Sequence, residues 1–419
     1  MDLKEKKVLV FGSGKSGIGA ADLLGAEGAR PVIYDGNEKT DKEQVLGKTT
    51  GTYPVEFYAG ELPEEVLDSL DLVVLSPGVP TDLPLVKRFY EMGLPVWGEV
   101  ELAYRTGKGR VLAITGTNGK TTTTALLGKI MKDACPSVFV VGNIGTPYTS
   151  KAREMQENSV TVAEISSFQL ETIEEFAPEV SAILNITEDH LNRHHTMEEY
   201  IRVKELITKN QSSEDVCVLN YEDEVLRKFG ETAVPKVVYF SSVRTLEKGI
   251  YLDGDTIVLT TETAKIPVVK TGELKLLGQH NYENVMAAVA MAYYAGVDME
   301  SIRRSICEFT AVEHRIEYVT EKNGVVYYND SKGTNPDAAI KGIQAMNRPT
   351  YLIGGGYDKE SSYDEWIQAF DGKVRCLVLI GQTKEKIKAA AERLGFTDIV
   401  RLETLQEAVR FCAEHAKEG

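Results

Sequence analysis

The chain has 419 residues, of which 42% are hydrophobic and 26% are charged, and its formal net charge is −16. The composition is ordinary for a globular protein, and the length exceeds what one hydrophobic core usually organises, so we expect two or three domains. The acidic excess argues against a nucleic-acid-binding surface, because phosphate backbones are bound by basic patches.

The five cysteines are widely scattered and include no CxxC pair. This pattern is typical of a reducing compartment and argues against both a disulfide framework and a zinc site. The N-terminal residues lead into a predicted strand without the apolar stretch of a signal peptide, and no apolar run is long enough to cross a bilayer. We therefore expect a cytoplasmic monomer with no membrane or nucleic-acid partner.

The first hundred residues alternate short apolar runs with helical patterns, which predicts a small doubly wound sheet. A glycine-rich loop, Gly12–Gly17, follows the predicted strand Lys7–Phe11 and precedes a predicted helix near residues 18–25. Asp35 ends the second predicted strand, so the spacing matches a dinucleotide-binding fingerprint. The loop alone leaves two alternatives open: it binds a nucleotide-like ligand, or it only tightens a turn.

The most informative stretch is Gly116–Thr121, with the sequence GTNGKT, which follows the apolar run Val111–Thr115 and precedes a helix-compatible segment. Such a loop lets backbone N–H groups point at phosphate oxygens beside a helix N-terminus. Lys120 would then reach the β- and γ-phosphates, and the Thr121 hydroxyl would bind Mg²⁺. Ile114 occupies a position at which the usual motif has glycine. The stretch predicts that the chain binds ATP or GTP.

In the second predicted domain, each of the later strands is followed by polar residues at its carboxyl end, where open parallel sheets form their binding sites. Glu164 follows one such strand, and a carboxylate there would bind Mg²⁺ together with Thr121. Asn143 and His190 follow two others. A lone histidine is more often structural than a metal ligand, so both interpretations of His190 stay open. Further strand signals as far as residue 259 predict a mixed sheet.

Lys204 is unusual because it falls on a predicted apolar helix face. Thr196–Glu199 has the pattern of a capping box, which predicts a helix that starts there. Tyr200, Ile201 and Lys204 then share one face of that helix. A lysine in this position either snorkels to solvent, which is the commoner outcome, or becomes a neutral amine that takes up CO₂. The resulting carbamate would be an anion suited to holding Mg²⁺.

The third predicted domain begins near residue 311 and contains a further set of polar loops. His314 and Arg315 supply a cation that could neutralise the charge on a transferring phosphate. The loop Asn329–Asn335 combines a carboxylate, an amine and hydroxyls, and Gly354–Lys359 follows the next predicted strand. Such loops are often only turns, but their position favours a second half-site that closes over ATP. The chain stops after a predicted helix, so we expect the last α/β unit to be incomplete.

Together these motifs closely resemble those of the Mur ligase family of peptidoglycan synthesis. The resemblance covers nearly the whole chain, and the segments EISSFQLE and NDSKGTN are similar to the branch that adds D-glutamate. The segments that carry the resemblance are Gly116–Thr122, Gly142–Gly145, Glu164–Glu171, Asn185–Arg193, Gly278–Asn284, His314–Arg315, Asn329–Asn335 and Gly354–Lys359.

The resemblance implies an α/β protein of three domains. A Rossmann-like N-terminal domain, residues 1–108, would bind the uridine diphosphate, and a central P-loop ATPase domain with a mixed sheet would span residues 109–310. A Rossmann-like C-terminal domain, residues 311–419, would bind ATP and the amino acid. We expect this last domain to be truncated, because the family continues past the position of Gly419 with a further strand and loop.

The resemblance also implies roles for individual residues. Contacts to the UDP-sugar peptide would be made by Lys15, Ser16, Asp35, Gly36, Asn37, Gly78, Asn143, Ser166 and His190. ATP would be held by Gly116, Thr117, Asn118, Gly119, Lys120, Thr121, Thr122, Asn284, Arg315 and Asp330. Two Mg²⁺ ions would be bound by Thr121, Glu164, His190 and a carbamylated Lys204. D-Glutamate and ATP phosphate would be bound by Lys332, Thr334 and Lys359. The catalytic residues would be Lys120, His190, Lys204, Arg315 and Lys332.

The implied reaction is ATP-dependent addition of D-glutamate to UDP-N-acetylmuramoyl-L-alanine through an acyl phosphate. Two alternatives stay open. A folylpolyglutamate synthase-like ligase shares the ATPase and final domains but lacks a UDP-binding first domain, whereas about a hundred residues precede Arg110 here. The expected truncation also allows a catalytically impaired, nucleotide-binding short form.

Overall fold

The computed structural model describes residues 2–276, 278–310, 312, 314–358 and 361–418. These residues group into two compact units. The first unit comprises Met1–Val269 and Asn284–Ile306, and the second comprises Lys270–Glu283 and Cys307–Gly419. Lys359, which the sequence predicts to bind substrate, lies outside the described residues.

The doubly wound sheet predicted at the start of the chain lies within the first unit. Its strands are β1 (Lys7–Phe11), β2 (Arg30–Asp35), β3 (Glu56–Ala59), β4 (Leu72–Leu75) and β5 (Val96–Gly98). They follow the order β3-β2-β1-β4-β5 with parallel neighbours. The helices here are α1 (Lys15–Ala26), α2 (Lys42–Leu46), α3 (Glu64–Leu67), α4 (Pro84–Glu91) and α5 (Glu99–Thr106). Central strands such as β1 and β4 are buried on both faces, which explains their continuous apolar sequences.

Two glycines of the first loop are required by close packing. Gly12 has a φ of +109°, and a Cβ there would lie 2.7 Å from Ser76 Oγ on the loop after β4. A Cβ on Gly17 would lie 1.8 Å from the Gly12 carbonyl oxygen. Around Gly14, in contrast, no described atom lies within 4 Å of the Cβ position. The outer glycines therefore serve the tight turn from β1 into α1.

A second, mixed sheet follows in the same unit, as the sequence predicts. Its strands are β6 (Arg110–Thr115), β7 (Val138–Gly142), β8 (Val160–Glu164), β9 (Val180–Ile183), β10 (Val216–Asn220), β11 (Lys236–Ser241), β12 (Gly249–Asp253), β13 (Thr256–Thr260) and β14 (Lys265–Lys270). The order is β14-β13-β12-β11-β10-β9-β6-β8-β7, parallel from β7 to β12 and antiparallel between β12 and β13.

Helices connect the strands of this sheet and follow it in the chain. They are α6 (Lys120–Ala134), α7 (Ser167–Leu170), α8 (Leu191–His194), α9 (Met197–Glu205), α10 (Glu224–Gly230), α11 (Gln279–Tyr294) and α12 (Met299–Glu308). Because β6, β8 and β9 are parallel neighbours, their carboxyl ends meet at one edge of the sheet. The segments that follow these strands are the ones predicted to form the ATP and metal site.

A buried carboxylate ties α5 to the segment after α7. Glu101 is 0% exposed and accepts backbone N–H bonds from Glu174, Glu175 and Phe176 at 2.9–3.1 Å. Arg105, one helical turn later, adds an ion pair with Glu101 at 2.6 Å. Charged groups are rarely buried without such partners, so this contact fixes the first sheet's last helix against the second sheet's connecting loop.

The second unit contains a hairpin and a separate parallel sheet. Strands β15 (Glu317–Lys322) and β16 (Val325–Asn329) pair antiparallel, whereas β17 (Thr350–Gly355), β18 (Val374–Ile380) and β19 (Ile399–Arg401) pair parallel in that order. Its helices are α13 (Pro336–Gln344), α14 (Asp364–Gln368), α15 (Lys384–Arg393) and α16 (Leu405–His415). Within the described ranges we find no helix of the length and apolar character needed to span a membrane.

Candidate functional site

The phosphate-binding loop predicted from the sequence connects β6 directly to α6. Gly116 and Gly119 have φ values of +144° and +86°, which glycine adopts without strain. A Cβ on Gly119 would lie 2.3 Å from Asn284 Oδ1, so a side chain there would displace Asn284 on α11. The same oxygen accepts a hydrogen bond from the Thr123 hydroxyl at 3.3 Å. The fold thus brings Asn284, a predicted ATP contact, against this loop.

Lys120 folds over the loop that precedes it. Its Nζ donates to the carbonyl oxygens of Gly116 and Thr117, both at 2.8 Å. Asn185 supports the loop from the segment after β9, since it accepts from the Asn118 N–H at 2.8 Å and donates to the Asn118 carbonyl at 3.0 Å. Asn185 begins a segment that carries the family resemblance, but the sequence predicted no role for it. These bonds hold the loop in the shape that a phosphate site requires.

Lys204 lies on α9, whose N-cap is Thr196 as the sequence predicts. The side chain is 1% exposed, and its Nζ donates to the Gly116 carbonyl at 2.9 Å. Burial and the nearby Lys120 ammonium lower the pKa of Lys204 well below its usual 10.5, and Asp189 opposes the shift only in part. Of the two alternatives left open for this lysine, snorkelling to solvent is wrong, because its amine is buried and contacts the phosphate loop.

Two aromatic residues complete the surroundings of this lysine. The Tyr200 ring centroid lies 4.8 Å from Lys204 Nζ, and the Tyr200 hydroxyl lies 3.1 Å from Thr117 Oγ1. His194 is buried, its ring centroid is 5.3 Å from that of Tyr200, and its Nε2 is 2.9 Å from Ser167 Oγ. Burial lowers the pKa of His194, so the imidazole is neutral at pH 7. The sequence did not predict His194, because α8 is too short to show a helical pattern.

Glu164 ends β8 beside the phosphate loop, and its side chain is buried. Its Oε1 accepts a hydrogen bond from Asn143 Nδ2 at 2.7 Å, while its Oε2 has no hydrogen-bond partner among the described residues. A buried carboxylate oxygen without a partner is costly, and it is the hard oxygen ligand that Mg²⁺ prefers. This free oxygen therefore fits a divalent cation at the position predicted from the sequence.

The other predicted metal ligands do not complete a metal site made of protein carboxylates and imidazoles alone. His190 has a φ of +54°, and its side chain is half exposed beside Asp189 at 3.6 Å. Thr121 is the second residue of α6 and is partly exposed, whereas Thr122 is buried. In the described part of the chain, no three His, Cys, Asp or Glu side chains gather as a metal site. A cation here would need substrate phosphate oxygens, a hydroxyl or a carbamate as further ligands.

The predicted UDP contacts lie on loops after β1, β2 and β4. Asp35 accepts hydrogen bonds from the Ser13 hydroxyl and from the Asn37 N–H, the latter at 3.0 Å. Burial raises the pKa of Asp35, but hydrogen bonds from Ser13, Asn37 and Thr40 outweigh burial, so the net shift is downward. The ionised carboxylate fixes the two loops together. The remaining predicted contacts, of which Lys15 and Ser16 begin α1, are partly or fully exposed: Lys15, Ser16, Gly36, Asn37 and Gly78.

Ser166 is the N-cap of α7 and forms a reciprocal capping box with Gln169. Gln169 Oε1 accepts from the Ser166 N–H at 2.8 Å and from its hydroxyl at 2.9 Å. At its other end, Gln169 Nε2 donates to Glu99 Oε1 at 2.7 Å. Burial raises the pKa of Glu99 to about 7, and the Gln169 bond opposes this shift. Glu99 was not predicted from the sequence, because 70 positions separate it from Gln169.

Replacing Glu99 with glutamine is expected to remove a pH-dependent loss of stability. The folded-state pKa of about 7 exceeds the usual 4.5, so the folded protein binds more protons than the unfolded chain between those pH values. Stability therefore falls as the pH rises through this window. Below pH 4.5 the Glu99 carboxyl does not lower the free energy of unfolding. Above pH 7 its ionisation lowers that free energy by about 3 kcal/mol.

Urea unfolding at pH 5 and pH 8 measures this effect. The sequence contains two tryptophans, and Trp97, buried in the first unit, reports on the neighbourhood of Glu99 once a Trp366→Phe background silences the other. The drop in unfolding free energy from pH 5 to pH 8 should be smaller in Glu99→Gln by about 2 kcal/mol or more. The same drop in both proteins would contradict a buried, ionising Glu99.

In the second unit, the turn around Arg315 has a strained backbone. His314 and Ile316 have φ values of +68° and +45°, which residues with a side chain rarely adopt. His314 Nδ1 lies 2.7 Å from Asn329 Nδ2, and the Ile316 N–H donates to Asp330 Oδ1 at 3.1 Å. Arg315 Nε is buried, and no described residue gives it a hydrogen-bond partner. The turn thus places Arg315 beside Asp330, two residues predicted to contact ATP.

Burial raises the pKa of Asp330, and the Ile316 N–H and Arg315 oppose the shift. Lys332 and Thr334, on the loop after β16, are exposed. The glycine run that ends β17 is also constrained, since Gly355 has a φ of +122° and a Cβ there would lie 2.0 Å from the Ile380 carbonyl oxygen. These loops present the amine and hydroxyl groups that the sequence assigns to the amino-acid site.

Three family models together match most of the chain. The Mur ligase middle domain matches residues 114–292, the MurD-like N-terminal domain of Mur ligases matches residues 6–98, and the glutamate ligase domain matches residues 314–419. UDP-N-acetylmuramoylalanine–D-glutamate ligase from Lachnoclostridium phytofermentans is 57% identical over 419 residues, which are 100% of this chain and 92% of the relative. The chain belongs to the Mur ligase family.

A second relative of the same name, from Clostridioides difficile, is 45% identical over 420 residues, covering 100% of this chain and 93% of the relative. Solved Mur ligase structures share the fold. UDP-N-acetylmuramate–alanine ligase MurC from Thermotoga maritima is 21% identical with a TM-score of 0.61, covering 99% of this chain and 94% of its own. MurF from Acinetobacter baumannii is 18% identical with a TM-score of 0.60, covering 97% and 86%. The predicted family and the three-domain α/β fold class are confirmed.

Proposed function

We propose that this Mur ligase joins D-glutamate to UDP-N-acetylmuramoyl-L-alanine in an ATP-dependent step of peptidoglycan precursor synthesis. Curated relatives at 45% and 57% identity bear the name of this activity. The observation that carries the proposal is the phosphate loop, with the buried Lys204 amine on its inner side and the free oxygen of Glu164 close by in the sheet.

ATP is the phosphoryl donor, as in the Mur ligase family. Gly116–Thr122 binds its phosphates, with Lys120 turning its ammonium from the loop carbonyls to the β- and γ-phosphates. Asn284 approaches the same loop from α11. In the second unit, Arg315 and Asp330 are further ATP contacts, and the partly exposed Arg315 guanidinium is suited to neutralising phosphate charge.

Mg²⁺, when bound, neutralises charge on the phosphoryl oxygens. The protein groups that would hold two such ions are the Thr121 hydroxyl, the Glu164 carboxylate, the His190 imidazole and a carbamate on Lys204. An ammonium cannot ligate a cation, but the lowered pKa of Lys204 makes a neutral amine accessible. That amine forms an N–C bond to CO₂ and loses one proton, which leaves a carbamate anion.

The reaction needs an activated carboxyl group, because a carboxylate anion has no good leaving group. The carboxylate of the muramoyl-alanine substrate attacks the γ-phosphorus of ATP, and the P–O bond to ADP breaks. The D-glutamate amine then attacks the resulting acyl phosphate, loses a proton and expels inorganic phosphate as the amide forms. Lys120, Arg315 and Lys332 stabilise the anionic charge in these steps.

Separate loops bind the two partners of the amide bond. The UDP-sugar peptide is bound by the loops after β1, β2 and β4 in the first sheet, and by Asn143, Ser166 and His190 in the second. D-Glutamate is bound by the second unit. Its proposed contacts are Lys332, Thr334 and Lys359.

Phosphate release tests this proposal directly. With ATP and UDP-N-acetylmuramoyl-L-alanine present, D-glutamate should stimulate phosphate release, whereas L-glutamate and meso-diaminopimelate should not. Mass spectrometry should find one added glutamate per released phosphate. Stimulation by a folate instead of the UDP substrate would favour a folylpolyglutamate synthase-like ligase. Binding of ATP and the UDP substrate without phosphate release would favour a catalytically impaired, nucleotide-binding protein.

A further inference from the structure

A chain of three side chains connects the first sheet to Ser166. Glu99 is the first residue of α5, directly after β5 of the first sheet, whereas Gln169 and Ser166 belong to α7 after β8 of the second. The links are Glu99 Oε1 to Gln169 Nε2 at 2.7 Å and Gln169 Oε1 to the Ser166 hydroxyl at 2.9 Å. Glu99 and Gln169 are both buried, so neither link competes with solvent.

The direction of these bonds is fixed at both ends. The Ser166 backbone N–H can only donate, so the Gln169 side-chain oxygen faces it at 2.8 Å. With its oxygen facing Ser166, Gln169 presents its amide nitrogen to Glu99 Oε1, which accepts. Without the acceptor at position 99, the amide nitrogen would be left buried and unpaired, which favours rotation of the Gln169 side chain.

This direction determines what Ser166 can offer to a ligand. Its hydroxyl donates its proton to Gln169 Oε1 and accepts the Gln169 backbone N–H at 3.3 Å. One lone pair is then left on the hydroxyl oxygen of Ser166, a residue that is partly exposed. Ser166 is therefore held as a hydrogen-bond acceptor, suited to an N–H or O–H group of the ligand.

The location agrees with a role in substrate positioning. Glu99 lines a cavity with room for about one water molecule, about 10 Å³, together with Ser76 and Pro77 on the loop after β4. That loop continues to Gly78, a proposed UDP contact. The second oxygen of Glu99, Oε2, is buried and finds no hydrogen-bond partner in the described chain. Glu99 thus lies between the loop proposed to bind the diphosphate and Ser166, which is proposed to bind the peptide end of the same substrate.

We propose that Glu99 is a positioning residue, which acts through Gln169 to hold the Ser166 hydroxyl as an acceptor for a donor group of the UDP-sugar-peptide substrate. The inference rests on the proposed function of the same site. Because Glu99 and Gln169 are buried, we expect neither of them to contact the reacting groups. Their effect should therefore fall on binding of this substrate and leave ATP binding unchanged.

Matched substitutions at position 99 test the acceptor requirement. Glu99→Met keeps the length of the side chain but removes the acceptor, and the Kd for UDP-N-acetylmuramoyl-L-alanine, measured by calorimetry without ATP, should rise about tenfold. Glu99→Gln keeps an oxygen that can face Gln169, and its Kd should stay within about threefold of wild type. Equal Kd values for wild type and Glu99→Met would overturn the proposal, as would equal weakening in the two variants.

A double-mutant cycle separates positioning from general damage. Ser166→Ala should weaken binding of the substrate, and adding Glu99→Met to Ser166→Ala should cause little further loss, because the group being positioned is already absent. Additive effects would overturn the proposal. Glu101→Gln is the matched control, a buried carboxylate on the same helix whose bonds go elsewhere. It should lower the unfolding midpoint while leaving the substrate Kd unchanged, and a raised Kd there would count against a specific role for Glu99.

The test also distinguishes this inference from the proposed function. Wild-type protein that fails to ligate D-glutamate or to bind the UDP substrate would contradict the function itself. Wild-type protein that binds and ligates, with a Glu99→Met variant of unchanged Kd and unchanged KM, would contradict only the positioning role.

Discussion

Lys204→Ala is expected to abolish ligation, with kcat lower by about a thousandfold or more, because the variant loses both the buried amine and the carbamate it can form. Formate or acetate should partly restore the activity, since a small carboxylate can enter the space left by the side chain and supply the missing anion. Phosphate release with D-glutamate measures both effects.

Lys204→Arg is the matched control for this variant. Arginine keeps a cation but cannot form the carbamate, so it should be inactive, and the same carboxylates should not rescue it. Full activity of Lys204→Ala in CO₂-depleted buffer would contradict the carbamate. A ¹³C carbamate signal from wild-type protein exposed to ¹³CO₂, absent in Lys204→Ala, provides a readout that does not depend on turnover.

Lys120→Ala is expected to lower kcat by about a thousandfold, because the loop loses the charge that stabilises the transferring phosphoryl group. In the structure the Lys120 amine bonds loop carbonyls of Gly116 and Thr117, so its removal should leave the sheet intact. The Kd for the UDP substrate should therefore be close to that of wild type.

Single-turnover phosphate release with saturating ATP checks this expectation. Lys120→Arg keeps the charge with a different shape, and we expect it to recover only part of the loss, since the loop geometry is built around a compact ammonium. A kcat within tenfold of wild type for Lys120→Ala would mean that the loop does not serve phosphoryl transfer.

Features encoded by neighbouring residues were predictable. The phosphate loop needs glycines at positive φ between an apolar strand and a helix, and Gly116 and Gly119 meet both needs within a few positions. The start of α9 was also predictable, because the side chain of its N-cap, Thr196, bonds the backbone three residues on. The parallel strands of both sheets appear in the sequence as short apolar runs between turns.

Features set by distant contacts were not predictable. The helical phase places Lys204 on an apolar face, but only the packing of α9 against the phosphate loop buries its amine. Gln169 lies in the predicted motif Glu164–Glu171, but its link to Glu99 has no signal in the sequence, because only the fold brings α5 and α7 together. The hairpin partner β15 is polar and largely exposed, so it shows no alternating pattern that would indicate a strand.

The hydrogen bonds of Glu101 couple the two sheets of the first unit. Its carboxylate holds three consecutive backbone amides of the segment after α7, with Arg105 closing the cluster. Separating the first sheet from the second would break these three hydrogen bonds to a carboxylate at once, at about 1.5–3 kcal/mol each, and would leave Glu101 only its Arg105 partner on the same helix. Local fraying at this junction is therefore disfavoured, and the two sheets should lose hydrogen-exchange protection together, as one cooperative block rather than as independent foldons.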